Sequence, residues 1–179
     1  MTSFVLLLAL LVLFLVQSVL LIPFGLWFPA RPDLLLVFVL GWTLTFGHGQ
    51  GIAAAALAGL LMDSTSVAPF GSHTLALLLL TRIALSLERQ LIASKMIFTV
   101  TLIVFATAFY YLVLSLSQVI SGARVDWLGS LGFVVVPTAL TNVVVGSLLF
   151  WSVEILAGKL GVQLRAASRR SQPVLRSEV

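Results

Sequence analysis

Cysteine is absent from this 179-residue chain, so disulfides, thiol nucleophiles and thiolate metal sites are excluded. Charge is nearly as scarce. Charged residues are 9% of the sequence, where a soluble domain carries about a quarter. The two histidines and six acidic residues match no HExxH pattern, no GxSxG elbow and no Walker sequence. The glycine run at 47–51 lacks the Lys-Ser/Thr of a phosphate loop and is expected to form a tight turn. These absences argue against an enzyme and predict neither a cofactor nor a metal.

What the chain has is apolar surface: 60% of residues, with a mean hydropathy of +1.18. Water cannot solvate most of such a surface, and a spanning helix needs roughly 20 apolar residues. The pattern predicts an all-α integral membrane protein, a six-helix transmembrane bundle over 1–157. Its expected spans are 4–22, 33–46, 52–62, 73–87, 96–120 and 133–157, followed by a basic tail, 158–179. The first segment has no basic n-region and no small-residue cleavage site before Pro23, so it reads as an uncleaved span. Spans two and three are short, about 17–21 Å at 1.5 Å per residue against a hydrocarbon core of about 30 Å. They must thin the bilayer, shelter behind longer helices, or form a hairpin that does not cross fully.

The ten basic residues indicate orientation rather than nucleic-acid binding. Lys159, Arg165, Arg169, Arg170 and Arg176 follow span six, and Arg89 and Lys95 join spans four and five. With six spans all of these share one side, and the positive-inside rule makes it the cytoplasm. Arg31 and Arg124 fall on the other side, each with an acidic residue two positions on. Trp27 and Trp127 fit the outer interface, Trp42 and Trp151 the inner one. Both termini are therefore expected in the cytoplasm. The tail reads as a disordered topology anchor or a contact for anionic lipid or a partner.

Ionisable groups at membrane depth are costly and need a reason. Arg82 and Glu154 lie toward cytoplasmic helix ends, where snorkelling or mutual pairing accounts for them. His48 and His73 lie near helix ends. Gly51, Ala55, Gly59 and Asp63 recur every four residues, a winding stripe that lets helix backbones approach closely. The stripe ends on Asp63 and the polar loop 63–72. Asp63 either folds that loop by accepting from nearby backbone N–H groups or contacts a ligand or partner. Pro137 and Asn142 predict a kink and an interhelical hydrogen bond in span six, and Tyr110 and Tyr111 read as packed, hydrogen-bonded residues.

Two stretches carry a family resemblance. Arg31-Pro32-Asp33-Leu34-Leu35-Leu36 opens span two. Gly59-Leu60-Leu61-Met62-Asp63-Ser64, then Pro69-Phe70-Gly71-Ser72-His73-Thr74-Leu75, leads into a leucine-rich helix ending in basic residues. Across about 29–95 the chain resembles the bacterial rod shape-determining MreD family. The resemblance implies a non-enzymatic inner-membrane subunit of the cell-elongation machinery. Its implied partners are the single-span scaffold MreC, the peptidoglycan glycosyltransferase and transpeptidase, and the actin-like filament. It also implies a fold similar to the substrate-binding subunit of energy-coupling-factor vitamin transporters. Pro32, Asp33, Gly59, Asp63 and Gly71 occupy family-typical positions, and no catalytic residue carries over. A vitamin-binding transporter subunit is the competing expectation.

Overall fold

The computed structural model describes residues 2–20, 31–88 and 95–159, apart from a few side chains, Glu154 among them. The expected end of span one at Ile22, Trp27, most of the 88–95 connection and the tail beyond Lys159 lie outside the described residues. Every described element is helical. They are α1 (Thr2–Leu15, prolonged by the π turn Val16–Leu20), α2 (Leu34–Phe46), α3 (His48–Thr65), α4 (Ser72–Glu88) and α5 (Lys95–Ile120). A last rod consists of α6 (Trp127–Ser130), the π turn Leu131–Val135 and α7 (Val136–Lys159).

Side-chain partners set the helix directions. Asp33 meets Asn142 and Val37 meets Gly146, so α2 and α7 run parallel. Asn142 meets Thr107, which sets α5 against α7. Thr43 faces Gly51, and Thr74 faces Gly59, making α2–α3 and α3–α4 antiparallel hairpins. Gln17 reaches Leu35, so α1 ends where α2 begins. Thr2 and Lys159 therefore lie at one end of the bundle and the 66–71 loop at the other.

The stretches Phe98–Ile120 and Trp127–Gly158 are long and apolar enough to cross a bilayer, whereas Ser3–Val19, Leu34–Phe46 and Ser72–Leu87 are shorter apolar helices. On α7 the residues Leu140, Val144, Leu148, Trp151 and Ile155 are exposed, one continuous apolar stripe that no described helix covers. α2 is the opposite case. Its residues from Leu34 to Thr43 are all buried, and α1, α3, α4, α5 and α7 all pack on it. A helix apolar on every side belongs inside a bundle, and at 13 residues it spans only about 20 Å. The neighbouring helices thus shelter this short segment on every side.

Three boundaries and the placement of Trp42 differ from the sequence reading. Helix α3 starts at His48, because only Gly47, at φ 82°, leaves helical geometry; His48–Gly51 already turn helically. It also runs on to Thr65, which places Asp63 in a helix rather than a loop. The last rod starts at Trp127, where Asp126 accepts a hydrogen bond from Gly129 N at 3.1 Å, a side-chain cap. The π turn 131–135 precedes Pro137, which has no N–H to return to the turn before it. Finally, Trp42 is fully buried and stacks on Phe46 at 4.1 Å, so it is a core residue and not part of an interfacial belt. Arg82 is exposed.

The stripe on α3 serves two neighbours. A step of four residues advances about 40° around a helix of 3.6 residues per turn, so Gly51 and Gly59 point about 80° apart. A Cβ on Gly51 would sit 2.7 Å from Thr43 Oγ1 on α2, and one on Gly59 would sit 2.3 Å from Thr74 Cα on α4. Ala55, fully buried, lies between them.

Candidate functional site

At the end of the bundle opposite Thr2 and Lys159, two helices begin without a capping side chain of their own. Gly71, at φ 91°, is the cap residue of α4, since its carbonyl accepts from Leu75 N at 2.8 Å. Glycine offers no side-chain acceptor, yet the first N–H groups of a helix need one. Asp63 supplies it from α3. Its Oδ1 accepts from His73 N at 2.9 Å and its Oδ2 from Thr74 N at 3.2 Å, with Thr74 Oγ1 donating to Oδ2 at 2.6 Å. The carboxylate also lies favourably at the positive end of the α4 dipole. Between the two readings of Asp63, these bonds show the backbone-holding one at atomic detail, with the acceptor on a neighbouring helix.

The same device recurs on α2. Asp33 occupies the cap position, its carbonyl accepting from Val37 N at 3.1 Å, but its carboxylate makes no capping bond. Gln17, in the π turn after α1, accepts from Leu35 N at 3.1 Å instead. The Asp33 carboxylate is thereby released sideways, where Oδ2 accepts from the Tyr111 hydroxyl at 3.0 Å. Asp33 N donates to Asn142 Oδ1 at 2.7 Å, and Asn142 Nδ2 donates to Thr107 Oγ1 at 3.0 Å. Asn142 and Thr107 are fully buried, so this chain ties α2, α5 and α7 together in a medium with no competing water.

His73 joins the two halves. Its backbone sits on Asp63, and its Nδ1 shares a short hydrogen bond with the Tyr110 hydroxyl, which also approaches Met62 Sδ at 3.6 Å. His73 Nε2 is buried without a hydrogen-bond partner among the described residues. Beside this cluster opens a polar pocket of about 520 Å³, lined among others by Gln17, Arg31, Pro32, Asp33, Thr65, Ser66, His73 and Tyr111.

The predicted residues thus divide. Pro32, Asp33, Asp63 and Gly71 gather at this end, with Gly59 one turn below Asp63 allowing α3 and α4 to touch. Gly51 and Ala55 belong to the packing beneath. Residue reading missed Gln17, although it is a rare amide in an otherwise apolar first helix, and it missed Thr74 and Thr107, whose hydroxyls look unremarkable in sequence. Among the described residues, no three His, Asp or Glu side chains stand close enough to hold a metal ion. Both carboxylates join helices, Asp63 through both oxygens and Asp33 through Oδ2.

Because Asn142 alone bridges Asp33 N and Thr107 Oγ1, its loss strands a buried backbone donor. Asn142→Ala is expected to cost about 2 kcal/mol, read as a lower unfolding midpoint in detergent. An unchanged midpoint would show that the bridge holds nothing.

The sequence model of the family described as rod shape-determining protein MreD matches residues 1–160. The chain belongs to the MreD family. The match extends from the first residue past the last helix, well beyond the motifs around Pro32 and Asp63, so all six helical rods fall within MreD. Those motifs now have a structural meaning in this MreD protein: they are the cross-helix caps and the glycine contact between α3 and α4. No curated protein and no solved structure matches the chain. Family membership places the protein among rod-shape determinants of the bacterial membrane.

Proposed function

We propose that this MreD protein is a non-enzymatic, multi-pass subunit of the inner-membrane cell-elongation complex. In this reading it binds a single-span MreC-like partner and, directly or through it, supports the peptidoglycan glycosyltransferase and transpeptidase. Both termini lie in the cytoplasm. Thr2, Glu88 and Lys159 share one end of the bundle; in the sequence Arg89 follows Glu88 and the tail arginines follow Lys159, which supports the orientation. The observation that carries partner binding is the loop between α3 and α4. Val67 and Phe70 are 104% and 76% exposed, on the turn between the two helices that Asp63 joins. Large apolar side chains presented on a loop outside the apolar rods suit a protein contact.

Co-purification in mild detergent tests this. An MreC-like protein is expected to elute with the wild type, and the double variant Val67→Ser/Phe70→Ser is expected to recover it at least about tenfold less, a loss of about 1.4 kcal/mol. Recovery of no such partner by the wild type would overturn the reading. A vitamin-binding transporter subunit has the polar pocket in its favour. It requires a melting-temperature rise with some vitamin of a panel, and a flat panel removes it.

A further inference from the structure

A second cavity lies on the membrane-facing side, an apolar groove of about 300 Å³ between α5 and the start of the last rod. Phe105, Ala108, Leu112, Trp127 and Leu131 are among its walls, and nearly all of its surface is carbon. Tyr111 lines this groove and the polar pocket alike. One side chain therefore separates a polar chamber from a groove on two spanning-length helices. Both cavities are also bordered by π turns, Gln17 and Ser18 in the polar pocket and Leu131 and Val135 in the groove, and π turns within helices are frequent at functional places.

We infer that the two cavities are a single site for one anionic phospholipid. The acyl chain lies in the α5–α6 groove and the headgroup turns past Tyr111 into the polar pocket. The groove faces lipid because its helices do, and Trp127 stands at its end, the residue type that settles at the headgroup level. In the pocket, Arg31 is exposed and makes no ion pair among the described residues, which suits a phosphodiester. Asp33 and the unpartnered His73 Nε2 suit headgroup hydroxyls, which can both donate and accept. A phosphate ester bearing free hydroxyls matches this set, and a choline headgroup, which offers no donor, does not. The pocket's size is that of ordinary small-ligand sites.

The test is thermal unfolding of the purified full chain in mixed micelles. Phosphatidylglycerol is expected to raise the melting temperature by about 4 °C more than phosphatidylcholine at equal mole fraction. Arg31→Gln, which removes the cation, and Ala108→Phe, which fills the groove, are each expected to abolish that difference. Leu148→Phe, on the exposed stripe outside the groove, is expected to keep it. Equal stabilisation by both lipids overturns the inference, as does a difference that survives in Ala108→Phe. If soluble glycerol phosphate alone reproduces the full shift, the groove takes no part and the two-cavity site is wrong. Arg31 is exposed, so its variant folds and decides the matter even if Ala108→Phe does not.

Discussion

Gly59→Ala is expected to be the most damaging single-methyl change in the protein. The added carbon would lie 2.3 Å from Thr74 Cα and 2.8 Å from Thr74 N, and both are backbone atoms that no rotamer change can move. α3 and α4 must separate, and they form the most closely packed helix pair of the bundle. Overpacking in a core typically costs 1–3 kcal/mol, and a backbone clash belongs at the top of that range, about 3 kcal/mol. Separation also pulls Asp63 away from Thr74, so packing and capping fail together. Gly51→Ala meets only side-chain atoms of Thr43, Oγ1 at 2.7 Å and Cβ at 3.0 Å, with no backbone atom among its nearest neighbours, and should cost less. Unfolding midpoints in one detergent compare them directly. Equal midpoints would mean that the α3–α4 approach is looser than its geometry.

Asp63→Ala is the second. It removes one acceptor group that takes three hydrogen bonds, two of them from backbone N–H groups of α4. Gly71 has no side chain to replace it, so the start of α4 is left unsatisfied in a buried place. A lost cap costs about 0.5–2 kcal/mol and hydrogen bonds to a charged group about 1.5–3 kcal/mol; about 3 kcal/mol for the set is expected. The loop carrying Val67 and Phe70 loses its anchor, so recovery of the MreC-like partner should fall as well. Arg169→Ala, in the basic tail, should leave both stability and recovery near wild type. Asp63→Asn keeps an acceptor for one of the two backbone donors and should fall between. If Asp63→Ala and Arg169→Ala gave equal yields of complex, Asp63 would hold nothing that matters to assembly.

Much of this was readable before any coordinates. The apolar runs, the stripe of small residues every four positions and the two motifs around Asp33 and Asp63 marked the helices and the end of the bundle that matters. The errors share one cause. His48–Gly51 look like a turn because glycine costs a helix about 1 kcal/mol per residue, yet packing of Gly51 against Thr43 outweighs that propensity. Asp63 and Asp33 look like loop or cap residues of their own segments, because local sequence shows only near neighbours. Their partners are ten and 78 residues away.

The sequence by itself determined the solvent and the element type. With so little charge and so much apolar surface, the chain must close its backbone bonds internally, and its long unbroken apolar runs, unlike the alternating strands of a barrel, select helices. Composition and period are sums over many residues and survive any local exception. Tertiary structure decided which helix is innermost, which neighbour each glycine touches and whose carboxylate caps whose helix. Those are matters of single contacts a few ångströms long between distant residues, set only when all the rods pack at once. That is why the short α2 could hide inside the bundle, and why Tyr111 came to stand between a polar pocket and an apolar groove.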